Sequence, residues 1–172
     1  MLEKQGHIEL FYGDESGFSL NCVIPYCWQF PNEPVCILPQ KGKNINVLGF
    51  MNSLGNQVQT FSKEGSINTE FVIESVNSFV STLTKITVLV LDNARIHHSK
   101  MFQQQITQWE NSGLYVFYLP AYSPHLNRIE TLWRHTKYRW IKPNDYQNLD
   151  LLKTALDDIW KNFGHKYKIY FK

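Results

Sequence analysis

Cysteine is scarce in this chain of 172 residues, and the three present, Cys22, Cys27 and Cys36, form no CxxC pair and have no histidine at zinc-site spacing. That argues against a structural zinc and fits reduced thiols in a cytosolic protein. No apolar run approaches the roughly 18 residues that span a bilayer, and the N-terminus lacks a charged, then apolar, then small-residue leader pattern. The expectation is a soluble, cytoplasmic protein with no membrane partner. There is no internal repeat, low-complexity tract or interdomain linker, so a single domain over residues 1–172 is expected. Charge of one sign is also lacking, since the formal net charge is only +2, which neither requires nor forbids a polyanionic partner. What is abundant is core material, with 43% hydrophobic residues and 15% aromatics. Basic residues gather from Lys137 to Lys142 and from Lys161 to Lys172 with no intervening carboxylate, which makes one end of the molecule locally positive.

The order of elements follows from periodicity. His7 to Gly13 is a short apolar run that ends at Gly13-Asp14, the profile of a strand stopping at a turn. Pro25, Pro31, Pro34 and Pro39 make residues 23–44 an irregular excursion. Ile45 to Met51 and Gln57 to Phe61 flank the turn residues Asn52 to Asn56 and read as a hairpin. Asn68 to Leu83 carries helical spacing, with Asn68 as N-cap and Glu70 in the first turn. Thr87 to Leu91 is apolar on both faces, as a strand covered on both sides must be. Further elements are a helix from Ser99 to Trp109, a buried strand from Leu114 to Leu119, a helix after Pro124 to Trp140, and a helix from Leu149 to Phe163, with the last eight residues free to fray. Three strands, helix, strand, helix, strand, helix define an α/β mixed sheet with helices on its faces.

Three acids stand at informative places. Asp14 and Asp92 each close a strand, and neighbouring strands would deliver both to one edge of the sheet. Glu130 arrives from a helix whose core stripe is Leu126, Ile129, Trp133 and Trp140, at the border of that stripe and so drawn toward the sheet. Carboxylates converging from different elements are what a pair of hydrolytic cations needs. Taken singly each has an ordinary explanation: Gly13-Asp14 as a plain turn, Asp92-Asn93 as a loop start, and Glu130 as the distal member of an Asn127-x-x-Glu130 capping box. Trp133 reads as core.

The flanking residues make the pattern specific. Asp14-Glu15-Ser16-Gly17-Phe18, Asp92-Asn93-Ala94-Arg95-Ile96-His97, and Tyr122-Ser123-Pro124-His125-Leu126-Asn127-Arg128-Ile129-Glu130 with Trp133 resemble the three signature blocks of the DDE transposases of the mariner superfamily, in particular its bacterial insertion-sequence branch. Leu119-Pro120-Ala121 extends the third block, and Trp28 with Asn46-Val47-Leu48-Gly49 resembles the segment between the first two, so the likeness covers roughly residues 7 to 141.

The resemblance implies a ribonuclease H-like fold, a five-stranded mixed sheet flanked by helices with the first and fourth strands adjacent. It also implies cleavage of double-stranded DNA at transposon ends by metal-activated water, followed by attack of the freed 3′-hydroxyl on target DNA, typically at a TA dinucleotide. Asp14, Asp92 and Glu130 become the metal ligands, with two Mg²⁺ ions expected and Mn²⁺ a plausible substitute. Asn93 and His97 would support that site, although a helix-initiating asparagine and a packed histidine are equally good readings. Arg128, Arg134, Lys137, Arg139 and Lys142 cluster around the third helix as candidate DNA contacts, or equally as a solvated helix face.

Two departures matter. Arg128 stands where many relatives carry proline, and full-length relatives begin with helix-turn-helix modules, whereas the first catalytic strand here starts near residue 7. Recognition of transposon ends is therefore expected to lie outside this chain, which reads as a fragment, a split-frame product or a degraded element, the intact protein being a homodimer. The rival readings are an inactive remnant that binds DNA or itself, and another ribonuclease H-like nuclease. An Asp-x-Asp phosphatase is disfavoured because Ser16 follows Asp14 by two.

Overall fold

A computed structural model describes residues 2–21, 32, 44–121 and 123–171. The three cysteines, Trp28, Tyr122 and the proline-rich excursion, apart from Asn32 and Asn44, lie outside the described residues.

Strands β1 (Glu9–Phe18), β2 (Ile45–Asn52) and β3 (Val58–Glu64) form an antiparallel meander, and β4 (Thr87–Leu91) and β5 (Leu114–Tyr118) add in parallel on the other side of β1. The sheet order is β3-β2-β1-β4-β5, so the first and fourth strands are adjacent as expected. Parallel neighbours need crossover connections, which α1 (Thr69–Val80) and α2 (Lys100–Asn111) provide. Each helix starts where a side chain meets an orphan N–H: Asn68 accepts from Phe71 and Ser99 from Phe102. A 3₁₀ turn, Arg95–His98, precedes α2. On the other face lie α3 (Ile129–His135), which runs into a π-helical turn (Thr136–Trp140), and α4 (Leu149–Lys161).

Side-chain alternation divides the core in two. Phe11, Leu48, Phe50, Leu89 and Leu91 pack with Val76, Phe102 and Trp109 under α1 and α2. Phe18, Ile45, Val47 and Met51 pack with Ile129, Leu132, Trp133 and Leu156 under α3 and α4. The even-numbered residues of β1 therefore face α3, and the odd-numbered ones face α2.

The structure revises several expectations. β1 does not end at Gly13-Asp14 but runs on to Phe18, paired with β2 along the whole of that extension. The third helix does not begin at Leu126, which is 45% exposed in a 3₁₀ turn (Pro124–Leu126), but at Ile129. Strand β5 lies at the sheet edge, with Tyr115 and Phe117 exposed rather than buried. The last residues are tied down: Ile169 is buried, and Asp158 accepts from both Lys166 and Tyr167. No helix among the described residues is long and apolar enough to cross a membrane.

Candidate active site

The site grows from the unequal lengths of β1 and β4. Their parallel ladder ends with Tyr12 opposite Val90; β1 runs on through Asp14, whereas β4 stops at Leu91 and Asp92 is the first residue beyond it. Asp14, an even-numbered residue of β1, faces α3, where Trp133 meets it. Asp14, Asp92 and Glu130 all line one cleft of about 370 Å³, floored by Asn93 and Asn127 and walled by Leu119 and Pro120. The two aspartates and the helix-borne glutamate thus border one cleft, although among the described residues they do not stand close enough together to share a cation, and two further details differ from expectation. Asp14 is an interior strand residue, and Glu130 is exposed rather than drawn under the helix.

Each aspartate is held by a ring nitrogen. Trp133 Nε1 donates to Asp14 Oδ2 at 2.9 Å. The indole reaches it because position 49, paired with Asp14 across β1 and β2, is glycine: a Cβ there would stand 2.7 Å from Trp133 Cη2. On the other side, His97 has no solvent exposure, and its Nδ1 lies 3.1 Å from Asp92 Oδ1 and 3.2 Å from the Asp92 carbonyl. Oδ1 also accepts from the Ala94 N–H, which leaves Oδ2 for another partner. The His97 backbone is fixed in turn, since its carbonyl accepts from Gln103 Nε2 at 2.8 Å and from the Tyr118 hydroxyl at 3.1 Å.

Glu15, on the opposite face from Asp14, completes this inner layer. Its Oε1 is 3.6 Å from His97 Nε2, an ion-pair rather than a hydrogen-bond distance, and neither atom has a hydrogen-bond partner. Burial by itself opposes charge on His97, yet the carboxylates of Asp92 and Glu15 outweigh it and raise its pKa to about 9. Asp92 is correspondingly held below the usual carboxylate range, chiefly by the His97 hydrogen bond. Asp14 moves the other way, to about 7, because it is buried and because Glu130 and then Glu15 add like charge. Two neighbouring aspartates with opposite shifts, in a cleft carrying excess negative charge, fit a cation held by oxygen donors. Among the described residues, no three carboxylate, imidazole or thiol groups stand close enough to form a ready-made cation site.

Asn127 does not cap the helix in the expected way. It is buried, and its Nδ2 donates 3.1 Å to the Gly13 carbonyl, which pins the start of α3 against β1 beside Asp14. Asn93 lines the cleft, with its Oδ1 bonded to His98 Nε2. The basic candidates separate. Arg134 and Lys137 line a groove with Glu130, and burial lowers the Lys137 pKa while Glu130 and Asp14 pull it back up. Arg128 lines a different cavity, donating to the Ser53 carbonyl at 2.6 Å and lying 4.9 Å over Phe171. Arg139 and Lys142 are exposed and line neither the cleft nor the groove. Sequence reasoning passed over Glu15 and assigned Trp133 only to the core; the signal for Glu15 was strand alternation beside an acid, which carries meaning only once His97 is known to lie beneath it.

A β3-β2-β1-β4-β5 mixed sheet with acids from β1, the end of β4 and α3 fits the ribonuclease H-like class of fold. The chain belongs to the DDE superfamily endonuclease family, which it matches over residues 9–153. It is 27% identical over 128 residues to the insertion element IS630 uncharacterized 39 kDa protein of Shigella sonnei, covering 73% of this chain and 36% of that one. Among solved structures it is similar to the mariner Mos1 paired end complex with Mg, with TM-score 0.61 and 16% identity, covering 92% of this chain and 50% of that chain. It is also similar to the HTLV-2 integrase catalytic core domain in complex with magnesium, with TM-score 0.53 and 14% identity over 89% and 84% of the two chains. The chain thus spans about a third of the length of the insertion-element relative and half that of the Mos1 chain.

Proposed function

We propose that this chain is the catalytic domain of a DNA transposase, cutting transposon ends and joining them to target DNA, with Asp14, Asp92 and Glu130 as the residues that hold divalent cations. The observation that carries the reading is that Asp14 from β1, Asp92 just past the end of β4 and Glu130 from α3 line one cleft. Family membership and the metal-bound structures of similar fold support it. Mg²⁺ is the expected ion and Mn²⁺ a substitute, two ions in all, since the donors are hard oxygens. Such ions supply activation of the attacking oxygen and stabilisation of the leaving 3′-oxygen. The chain's own part is to orient the carboxylates through Trp133 and His97 and to bring phosphate to the cleft through nearby cations. Asn93 belongs to the supporting shell. Double-stranded transposon ends and target DNA are the partners, with TA the expected target step. The whole protein works as a homodimer in the bacterial cytoplasm at the nucleoid.

The test is plasmid nicking in Mg²⁺ or Mn²⁺. Nicking by the wild type that disappears in Asp92→Ala and in chelator supports the reading, and nicking that survives the substitution overturns it. A second reading, a remnant that binds DNA without cutting, draws on the lack of a ready-made three-ligand cluster among the described residues. Calorimetry with Mn²⁺ separates the two: saturable binding lost in Asp14→Ala and Asp92→Ala belongs to the nuclease, and none at millimolar metal to the remnant.

A further inference from the structure

Three cavities join end to end along α3 and the π-helical turn. The acid cleft, about 370 Å³, shares Pro124, Asn127 and Glu130 with a groove of about 600 Å³. That groove shares Lys137 and Tyr138 with a smaller recess of about 150 Å³ bordered by Gly17, Ser19 and Asn21. Helical spacing explains the arrangement, since Glu130, Arg134 and Lys137 recur at four and then three residues and so share one face. The π turn then carries Tyr138 to the junction of groove and recess, where it is 55% exposed and, among the described residues, has no aromatic partner. Lone exposed aromatics are common and need no explanation. This one differs by its position, between two cavities, beside two cations, on a path that begins at the carboxylates. The Lys137 ammonium is steadied 5.3 Å over the Phe18 ring, so its charge is held at the groove rather than swept through solvent.

We propose that this groove is a track for an unpaired DNA strand extending from the cleft, with Arg134 and Lys137 at its phosphates and the Tyr138 ring stacked on one base. A duplex hides its base faces in the stack, whereas a single strand offers them to an aromatic side chain, and cations with an interposed ring form the usual platform for such a strand. The inference rests on the reading of the cleft as a site that cuts DNA, and it adds that the flanking strand is held unpaired.

The experiment is fluorescence anisotropy in EDTA, comparing a blunt duplex with the same duplex bearing a single-stranded tail, 2-aminopurine being placed at successive tail positions. The wild type should bind the tailed duplex more tightly and quench the probe at one position. Tyr138→Ala should weaken tailed binding by about 5- to 100-fold and abolish the quench. Tyr138→Phe should keep both, and blunt binding should not change. Arg134→Gln and Lys137→Gln should each lower the salt slope by about 0.7 for the tail. Equal binding of the two duplexes, no effect of Tyr138→Ala, or equal loss for both duplexes would each overturn the track. Circular dichroism and melting of each variant show whether a loss reflects unfolding, and the Tyr138→Phe comparison decides the matter in either case. Plasmid nicking is scored separately: nicking without a tail effect removes the track and leaves the nuclease, and a Tyr138-dependent tail effect without nicking does the reverse.

Discussion

Replacing Asp14 by asparagine removes a charge that the metal-free fold holds unfavourably. The Asp14 carboxyl titrates at about 7 instead of 3.8, from burial first and then the like charges of Glu130 and Glu15. At about 1.4 kcal/mol per pH unit, that displacement corresponds to roughly 4 kcal/mol between the two protonation states. Partial solvent access on the cleft side reduces the realisable part to about 1–3 kcal/mol. The direction follows from proton counting. Between pH 4 and 7 the folded protein keeps a proton that the unfolded chain has released, so wild-type stability falls as pH rises across that window and levels off above it. Asparagine fits the same space and can still accept from Trp133 Nε1, so Asp14→Asn should match the wild type near pH 4 and exceed it at pH 8 in chelator, by about 3–8 °C in melting temperature. Millimolar Mg²⁺ or Mn²⁺ should then reverse the order, because binding to the folded state stabilises only the chain that retains the ligand. The assay is thermal melting at several pH values with and without metal. A variant less stable than wild type at pH 8 in chelator, or a gap equal at pH 4 and pH 8, would refute this account of the cleft.

Three further outcomes follow from the same geometry. Trp133→Phe keeps most of the packing but deletes the indole N–H, so Mn²⁺ affinity measured by calorimetry should fall by about 3- to 10-fold, and Gly49→Ala, which forces the indole away, should do the same while costing about 1–3 kcal/mol of stability. His97→Gln leaves Glu15 and Asp92 without a cation between them and should cost about 3 kcal/mol near neutral pH; because the His97 pKa is raised from 6.5 to about 9, the wild-type advantage should be complete below pH 6.5 and shrink as pH rises through 9, and an advantage that grows with pH would contradict the bridge. Arg128→Ala should lower the melting temperature through loss of the Ser53 and Phe171 contacts and leave DNA affinity unchanged, whereas Arg134→Ala should weaken DNA binding and leave the melting temperature alone; the opposite pattern in paired melting and anisotropy measurements would show the basic residues to be wrongly divided.

Much of the fold is legible because local and tertiary preferences agree. The Thr87–Leu91 strand, the hairpin around Asn52 to Asn56 and the Asn68 cap stand where periodicity and capping rules place them. The failures occur where one residue serves two ends. Gly13 reads as a turn, but its missing Cβ makes room for Leu91 and Phe50, the nearest atom standing 2.6 Å from where a Cβ would be; the glycine lets β1 cross a crowded core rather than stop before it. Asn127 reads as a helix cap, but its Nδ2 donates to the Gly13 carbonyl while its Oδ1 accepts no hydrogen bond, and the helix starts only at Ile129 with Leu126 outside it. The grouping of the acids is suggested in the sequence only through the resemblance of their flanking residues, since the pairing of β1 with β4 is a property of two strands far apart in the chain. Trp133 and His97 illustrate the same limit at the site. A buried aromatic ring satisfies a packing pattern whichever way its nitrogen points, so hydrophobic periodicity records the ring and is blind to the N–H. The pairing of Trp133 with Asp14 from the α3 face, and of His97 with Asp92 and Glu15 from the α2 face, makes the two cores of the fold the two supports of one cleft.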